Sequence, residues 1–350
     1  MNVAQLTDTV SGSSIGRFSM FLHEATADVS KLFYFPLTHS FNVNEQITGC
    51  SPSFMPFGSG WNINTHFRNF LYRKHIKAIE KFVGREGIIH YTTHVFQPLN
   101  SIEHSTVTVH DVFIIDMPDN YPREFVRFGL SNLNEQKRSP YINVFSSSLK
   151  NRLADLGFSG HIDVIPFPLY FPYGPNESKA EIRKEFGIPI DKRVILSVSS
   201  IEKRKNLARV KDAMEELGDD FLLLRVGPPI GIGRAYRNVD YETLNKLYNL
   251  SDALVLPSLL EGYGIPVTEA LACQLPVVVS RLDVFEEVAQ NQAVYIDPMN
   301  SHDIARGIKE AVEFQVSPEF SSKIRETHSR ENFRVEILKH YGRVMASGRK

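Results

Sequence analysis

Short apolar runs alternate with amphipathic stretches along most of the chain. In the first half the runs predict β-strands at 3–7, 31–36, 87–91, 106–110, 141–145 and 161–165. In the second half they predict strands at 193–197, 221–226, 253–256, 276–279 and 293–296. Helical periodicity fills most of the intervals between these strands. The alternation predicts an α/β protein in which helices cover both faces of parallel sheets.

The rhythm breaks once, in a proline- and aromatic-rich run at 166–176 that reads PFPLYFPYGPN. Such a run can continue neither a helix nor a central strand. We therefore predict two Rossmann-like, doubly wound domains, one over 1–168 and one over 169–330. Domains of this kind bind ligands at the carboxyl ends of their strands, so the prediction places a ligand in a cleft between them. A last helical stretch is expected from about Pro318 to Met345.

Composition narrows the class of protein. The 350 residues are 42% hydrophobic and 23% charged, which suits two domains with substantial cores. Lys and Arg (39) nearly balance Asp and Glu (40), so no global basic field indicates a nucleic-acid partner. Cys50 and Cys273 lie far apart in the sequence and predict no disulfide framework, which favours a reducing cytoplasm. No apolar run reaches the roughly 18 residues of a membrane span, and the first residues do not read as a secretory signal.

A glycine-containing loop follows the apolar run Ala253–Leu256. Proline suits the first turn of a helix, so a helix is expected from near Pro266. Gly262 and Gly264 bracket Tyr263 and let backbone amides approach a ligand at the positive end of that helix. Phosphate is the ligand that such a site favours. The alternative is a tight strand-to-helix turn with no ligand.

Two carboxylates flank this loop. Glu261 precedes the glycines, and Glu269 is expected in the first helical turn, so both could face one pocket. Carboxylates accept hydrogen bonds from hydroxyl groups, and together with a phosphate seat they suit a sugar nucleotide. Alternatively, Glu269 only complements the dipole of its helix.

A cationic run occupies the corresponding place after an earlier strand. The sequence ILSVSSIEKRKNL at 195–207 predicts a strand, a turn and a helix that begins around Asn206. Lys203, Arg204 and Lys205 then lie at a helix N-terminus, where the dipole opposes each cation by up to about 1 kcal/mol. A bound anion would compensate for this. The alternative is a solvated charged surface.

The first domain offers weaker signals. TVSGSSIGRF at 9–18 is a small-residue loop that contains Gly16, but it is neither a GxGxxG nor a P-loop pattern. The four histidines between 90 and 110 have no metal-ligand spacing, and no Asp-x-Asp motif occurs, so no metal site is predicted. His110 and Asp111 end the run TVTVHD. Taken alone, they predict a histidine satisfied at a strand end, with Asp111 capping the next segment.

Two other segments of the first domain suggest contacts outside the donor site. The long polar and aromatic connection at 41–66 is assigned to acceptor recognition. The segment 67–83 is basic on one side and apolar on the other. It reads as a core stripe below a solvated face, with a membrane-surface helix as the alternative.

EGYGIPVTE at 261–269 resembles the E-x7-E signature of the retaining glycosyltransferases of family 4, which have the GT-B fold. The flanks PSLL and EALACQLPVVVS are similar to the family's PSxxEGFGLPxxEAxAxGxPVVxS, except that Gln274 replaces the usual glycine. The family's VGTIEPRKNL resembles 198–207, where Ser199 and Lys203 replace a glycine and a proline. Its SGIGRY and TIHD elements are similar to the segments around Gly16 and His110. The resemblance covers nearly the whole chain.

The resemblance implies a role for each site residue. Arg204 and Lys205 bind the donor diphosphate, Glu261 binds the sugar hydroxyls and Glu269 the ribose hydroxyls. His110 orients the donor sugar. The remaining donor contacts would come from backbone at Gly16, Gly262, Tyr263, Gly264 and Ile265. The first domain would bind the acceptor, and the helix in 331–350 would cross back onto it.

The implied function is metal-independent, retaining transfer of a hexose from a nucleotide diphosphate sugar to a hydroxyl acceptor. GDP-mannose is favoured slightly over UDP-glucose as the donor, and a glycan or a lipid-linked sugar is the acceptor. No cofactor is expected, and the enzyme would be cytoplasmic, with peripheral membrane contact left open. The alternatives are a nucleotide-sugar epimerase or hydrolase of the same fold, and a degenerate subunit that only binds sugar nucleotide.

Overall fold

The computed structural model describes residues 1–7, 14–34, 51–52, 79–84, 86–94, 104–175 and 178–346. The chain divides into two compact units. The first comprises Met1–Ile165 with Phe333–Lys350, and the second is Pro166–Asn332. The predicted acceptor-recognition connection at 41–66 lies outside the described residues apart from 51–52, and so does most of the basic segment at 67–83.

The first unit is built on a parallel sheet of seven strands in the order β3-β2-β1-β4-β5-β6-β7. The strands are β1 Val3–Thr7, β2 Ser30–Tyr34, β3 Ser51–Pro52, β4 Ile88–Tyr91, β5 Ser105–Thr108, β6 Tyr141–Val144 and β7 His161–Val164. The α-helices of this unit are Ser14–Ala25, Phe113–Asp116, Arg123–Gln136, Ser147–Asp155 and most of Arg330–Ala346, with helical residues also at 79–83. A 3₁₀ turn spans Pro118–Asn120.

The last helix packs on the first unit through buried polar groups as well as apolar ones. Tyr341 and His340 are both fully buried. The Tyr341 hydroxyl lies 2.7 Å from His90 Nδ1. His340 Nε2 lies 2.6 Å from the Thr106 hydroxyl. Since a buried polar group without a partner is costly, these pairs fix how the helix docks on the sheet.

The second unit contains a parallel sheet of six strands in the order β10-β9-β8-β11-β12-β13. Its strands are β8 Arg193–Val198, β9 Phe221–Val226, β10 Arg234–Tyr236, β11 Ala253–Leu256, β12 Val277–Ser280 and β13 Ala293–Ile296. The α-helices are Lys179–Glu185, Leu207–Leu217, Tyr241–Leu250, Ile265–Ala272, Asp283–Ala289, Ser301–Ala311 and Pro318–Thr327. All residues of β11 and β12 are buried, as continuous apolar runs between helix layers predict.

Each strand predicted from an apolar run is present to within two residues at each end. The sequence did not predict β3 and β10, which lie at sheet edges and span two and three residues. The predicted helix from Pro318 to Met345 is wrong in one respect, because it divides after Thr327. The second helix begins at Arg330, and the hydroxyl of the preceding residue, Ser329, accepts a hydrogen bond from the Asn332 amide.

Candidate functional site

The sheet topology of the second unit brings the two predicted charged segments together. β8 and β11 are neighbours at the centre of the parallel sheet, with Ala253 paired to Ile195. The chain runs from β8 outward to β9 and β10, and then crosses to β11 on the other side. The carboxyl ends of such neighbours form the usual ligand site of an open α/β sheet. The turn Lys203–Lys205 follows β8, and the loop that contains Glu261 follows β11.

Glu261 contacts both predicted cations. Its Oε1 lies 2.5 Å from Lys205 Nζ, and its Oε2 lies 3.3 Å from Arg204 Nη1. The Ser258 hydroxyl donates a 2.7 Å hydrogen bond to Oε1. The side chains of Arg204, Lys205 and Glu261 are 12%, 10% and 6% exposed, so solvent screens these charges only in part. The structure thus brings Arg204, Lys205 and Glu261 into direct contact.

Hydrogen bonds to backbone carbonyls also join the two loops. The Leu259 amide donates a 2.7 Å hydrogen bond to the Arg204 carbonyl. Asn206 Nδ2 donates to the Pro257 carbonyl at 3.0 Å and to the Pro298 carbonyl at 2.6 Å. These bonds hold the cationic turn against the end of β11.

The predicted helix start around Asn206 is confirmed, since Asn206 is the N-cap of this helix, and a short turn that the sequence did not specify precedes it. Lys203–Lys205 form a 3₁₀ turn, and the α-helix begins at Leu207. Asn206 separates them in the left-handed region, with φ 59° and ψ 34°. Asparagine tolerates this conformation better than most residues, which explains why the chain can turn here without glycine.

A second acid borders the cluster on its exposed side. Glu202 Oε2 accepts a 2.8 Å hydrogen bond from Arg204 Nε, and its Oε1 accepts one of 2.7 Å from the Ser200 hydroxyl. Partial burial raises the pKa of Glu202, but the hydrogen bonds from Ser200 and Arg204 outweigh it and hold the pKa below its usual value. Glu202 is therefore ionised at neutral pH.

The glycine loop has a conformation that its sequence requires. Gly264 is the N-cap of the Ile265–Ala272 helix and adopts φ 89°. A Cβ at Gly264 would lie 2.4 Å from Phe285 Cε1, so only glycine fits. Gly262 and Ile265 are partly exposed on either side. Within the described part of the chain, the amides of Gly262, Gly264 and Ile265 donate to no acceptor, which leaves them able to bind an anion.

Tyr263 anchors this loop in the second unit. Its ring stacks on Phe167 with a centroid distance of 5.7 Å, and only 8% of the residue is exposed. Its hydroxyl lies 3.4 Å from His328 Nδ1. Burial, together with the charge of Glu287, raises the pKa of Tyr263. Any ligand contact at this position would therefore come from the backbone of Tyr263.

Glu269 differs from its prediction. It is the fifth residue of its helix, beyond the first turn, and it is 5% exposed. Its Oε2 accepts a 2.7 Å hydrogen bond from the Tyr248 hydroxyl. Burial and the nearby charge of Glu269 raise the pKa of both Tyr248 and Tyr173. Glu269 and Glu261 thus have different partners, and the helix-dipole role considered for Glu269 is disfavoured by its position.

In the first unit, His110 and Gly16 are both buried. His110 is 8% exposed, and its Nε2 donates a 2.8 Å hydrogen bond to the Thr92 carbonyl. Burial lowers the pKa of His110 to about 4, so the ring is neutral at pH 7. Asp111 accepts a 3.2 Å hydrogen bond from the Phe113 amide at the start of the next helix, but the N-cap of that helix is Val112 and not Asp111. Gly16 is buried inside the Ser14–Ala25 helix, which corrects its assignment to a loop that extended to Phe18.

Sequence reasoning missed two contributors to the site, Ser258 and Tyr248. Ser258 lies three residues before Glu261 in the segment PSLLE, and its hydroxyl donates to Glu261. A hydroxyl so close in sequence to a predicted site acid could have indicated this contact. Tyr248 comes from the preceding helix, and nothing in the sequence linked it to Glu269. Among the described residues, no group of three or more His, Cys, Asp or Glu side chains could hold a metal ion. In the same part of the chain, no helix is both long and apolar enough to cross a membrane.

Comparisons with known proteins agree with these features. The model of the family described as glycosyl transferases group 1 matches residues 234–328, a range that includes both Glu261 and Glu269. The O-antigen chain mannosyltransferase RfbU of Salmonella typhimurium is 26% identical over 240 residues, 64% of each chain. The O-antigen chain mannosyltransferase B of Escherichia coli is 25% identical over 245 residues, 61% of this chain and 62% of that protein. The match thus spans less than two thirds of these relatives.

Solved structures share the fold over nearly the full chain. Sucrose-phosphate synthase from Thermosynechococcus elongatus superposes with a TM-score of 0.79 at 17% identity and covers 99% of both chains. Anabaena HepE in complex with UDP and glucose gives a TM-score of 0.72 at 13% identity over 97% of this chain and 98% of that one. The resemblance to group 1 glycosyltransferases and the GT-B fold of two Rossmann-like domains are therefore confirmed.

Proposed function

We propose that this chain is a retaining, metal-independent glycosyltransferase that moves a hexose from a nucleotide diphosphate sugar to a hydroxyl acceptor. The contact of Glu261 with both Lys205 and Arg204 carries the proposal. This cluster places positive groups and a hydroxyl-binding carboxylate at the carboxyl ends of β8 and β11. A nucleotide diphosphate sugar has the complementary groups, a diphosphate and a polyhydroxylated ring.

The chemistry follows from the charge that develops during transfer. Breaking the bond between the anomeric carbon and the diphosphate leaves negative charge on the phosphate oxygens and positive character on the sugar. Arg204 and Lys205 would stabilise the departing diphosphate, and the amides of Gly262, Gly264 and Ile265 would donate to its oxygens. Fixed donors of this kind act mainly in the transition state, where the charge is largest.

The acids and the histidine would position the donor. Glu261 would accept hydrogen bonds from the sugar hydroxyls and Glu269 from the ribose hydroxyls. In the first unit, His110 would orient the sugar and Gly16 would contribute backbone contact. Because His110 donates through Nε2 to a carbonyl, its Nδ1 has the lone pair and can accept a hydrogen bond from a hydroxyl.

GDP-mannose is the donor we favour, with UDP-glucose second. The relatives named above are mannosyltransferases, which supports mannose as the transferred sugar. They are also named as O-antigen chain enzymes, which supports a growing glycan, free or lipid-linked, as the acceptor. The solved complex of HepE with UDP and glucose belongs to the same fold and keeps the second donor open.

A donor screen tests the proposal. The purified protein is incubated with GDP-mannose or UDP-glucose and a panel of sugar acceptors, and products are identified by mass spectrometry and NMR. We expect a glycoside whose anomeric configuration matches that of the donor, and we expect turnover to persist in EDTA. An inverted product would contradict retention, and loss of turnover in EDTA that returns with added metal would contradict metal independence.

Two rival functions predict different products from the same screen. A nucleotide-sugar epimerase or hydrolase would release an epimer or free sugar and no glycoside. A degenerate subunit would give no turnover, and calorimetry would then show whether it binds any sugar nucleotide. The direct contacts among Glu261, Arg204 and Lys205 disfavour degeneration, because the residues whose loss would be expected are present and paired.

A further inference from the structure

A third cation, Arg225, hydrogen-bonds to the loop that leads into the cationic turn and is fully buried. It belongs to β9, next to β8 in the sheet. Burial lowers the pKa of Arg225 to about 10, so the guanidinium remains charged at neutral pH. A buried charge costs several kcal/mol unless its surroundings compensate, so the retention of this cation calls for a physical reason.

The partners of Arg225 are neutral oxygens. Nη2 donates to the Ser199 carbonyl at 2.7 Å, and Nη1 donates to the Ser199 hydroxyl at 2.9 Å and to the Ser197 hydroxyl at 3.2 Å. Nε donates to the Pro228 carbonyl at 3.3 Å. Within the described residues, no carboxylate forms an ion pair with Arg225, and desolvation is the one cause of its pKa shift. The charge is therefore held by dipoles and is not cancelled by an acid.

These bonds tie the loop after β8 to the loop after β9. The two loops also approach each other closely through backbone, since a Cβ on Gly227 would lie 2.2 Å from the Ser199 carbonyl oxygen. A hydrogen-bonded path leads from the Ser200 side chain to Glu202 and from Glu202 to Arg204. Arg225 thus supports the segment from which Arg204 and Lys205 extend.

Arg225 also affects the net charge around the cationic turn. In the cluster at the ends of β8 and β11, Arg204 and Lys205 face Glu261 and Glu202, so two positive charges meet two negative ones. Lys203 is exposed, and solvent screens its charge. Arg225 then leaves a net positive charge in this part of the unit, and its field is weakly screened because the group is buried.

We propose that Arg225 is a positioning residue for the donor diphosphate, which it favours by fixing the loop at 199–202 and by adding an uncancelled positive charge beside it. This inference rests on the proposed function, because it concerns the same donor site. It assigns to β9 a contribution to affinity without direct contact with the ligand. The contribution of Arg225 to binding affinity should therefore be larger for a charged ligand than for an uncharged one.

The test compares ligands that differ only in charge. Calorimetry with GDP and UDP identifies which diphosphate the wild type binds, and ligand-observed NMR then measures the corresponding uncharged nucleoside. For R225M we expect the affinity for the diphosphate to fall by about tenfold and that for the nucleoside to change by less than about twofold. The matched control is R234M on β10, where an exposed arginine donates, among the described residues, to the Phe186 and Gly187 carbonyls. It should change both affinities by less than about twofold.

Equal loss of affinity for both ligands in R225M, or no loss for either, would overturn the inference. If R225M does not fold, R225K decides, because it keeps the charge and loses the planar fork. The affinity of R225K for the diphosphate should stay within about threefold of the wild-type affinity. If R225K loses more than about threefold in affinity for both the diphosphate and the nucleoside, and by equal factors, Arg225 has only a structural role. If the wild type binds neither diphosphate nor any sugar nucleotide, the proposed function itself fails. If the wild type binds a diphosphate and R225M binds it equally well, only the inference about Arg225 fails.

Discussion

Glu261 and Glu269 belong to one short motif, yet the structure gives them opposite surroundings. Glu261 contacts two cations at the edge of the sheet. Glu269 accepts a hydrogen bond from a neutral tyrosine hydroxyl inside the second unit. Both carboxylates are largely buried, so the difference lies in their partners, and charged partners such as Arg204 and Lys205 can turn to an anion when one arrives. A buried carboxylate with a tyrosine donor is held by the fold itself, so the two acids should fail in different ways when they or their partners are changed.

The largest effect is expected at the cationic side of the Glu261 cluster. In K205A the diphosphate loses one of the charges that stabilise it as it departs, and turnover should fall by about two to three orders of magnitude. The fall is measured as kcat/KM with donor and acceptor supplied, after circular dichroism has shown that the variant is folded. K211A in the following helix is the control, because Lys211 is exposed and pairs with Glu215 one turn away. Full turnover in K205A would remove Lys205 from the mechanism.

The Glu269 side of the comparison predicts a loss of stability. In Y248F the buried carboxylate loses its 2.7 Å hydrogen bond from Tyr248, and losing a hydrogen bond to a charged group costs about 1.5–3 kcal/mol. The cost is measured as the shift of the urea unfolding midpoint. Y241F is the matched control, because Tyr241 is partly exposed and its hydroxyl makes no hydrogen bond among the described residues. An unchanged midpoint in Y248F would mean that the hydrogen bond from Tyr248 does not stabilise the fold.

Substitution of Glu261 should strengthen the binding of a diphosphate, in contrast to the losses expected for K205A and Y248F. E261Q removes the charge that Lys205 and Arg204 face, so both cations become more available to a phosphate. We expect the affinity for nucleoside diphosphate to rise by about fivefold, which corresponds to about 1 kcal/mol, while turnover falls because the sugar loses a charged acceptor. Calorimetry measures the first change and donor kinetics the second.

The neighbouring acid supplies the control for that experiment. Glu202 contacts Arg204 as well, but its side chain is 48% exposed and solvent screens its charge. E202Q should therefore alter diphosphate affinity by less than about twofold. Weaker diphosphate binding in E261Q would show that the acid organises the cations and does not compete for them.

The sequence predicted the central strands and the cationic turn well because each depends on local pattern. Apolar runs such as Ala253–Leu256 are buried on both faces, and their boundaries follow from proline and glycine. The position of Arg204 and Lys205 beside Glu261 also followed, since parallel neighbours place their loops at one edge. These features need only the order of elements and the topology rules of parallel sheets.

Tertiary contacts explain what the sequence did not predict. The Tyr248 contact with Glu269 joins two helices, and no spacing rule connects residues that are 21 positions apart. The short strand Arg234–Tyr236 gains its strand geometry from pairing with β9 at the sheet edge. Glu269 was assigned to the first turn because Pro266 suggested the start of the helix, whereas Glu269 lies five positions after Gly264, the actual N-cap.

The smallest effect concerns the end of the helix that carries Glu269. Gln274 adopts φ 58°, a left-handed conformation that costs an ordinary residue about 1–2 kcal/mol and glycine almost nothing. Glycine also loses more freedom on folding, so Q274G should stabilise the protein by a net of about 0.5–1 kcal/mol. The control Q315G places glycine at an exposed residue without positive φ and should destabilise slightly. Thermal unfolding measures both, and because Glu269 keeps its tyrosine partner, Q274G should leave donor affinity unchanged. A change in affinity would mean that the helix end is coupled to the acid, and the contrast between a fixed Glu269 and an exchangeable Glu261 would then no longer hold.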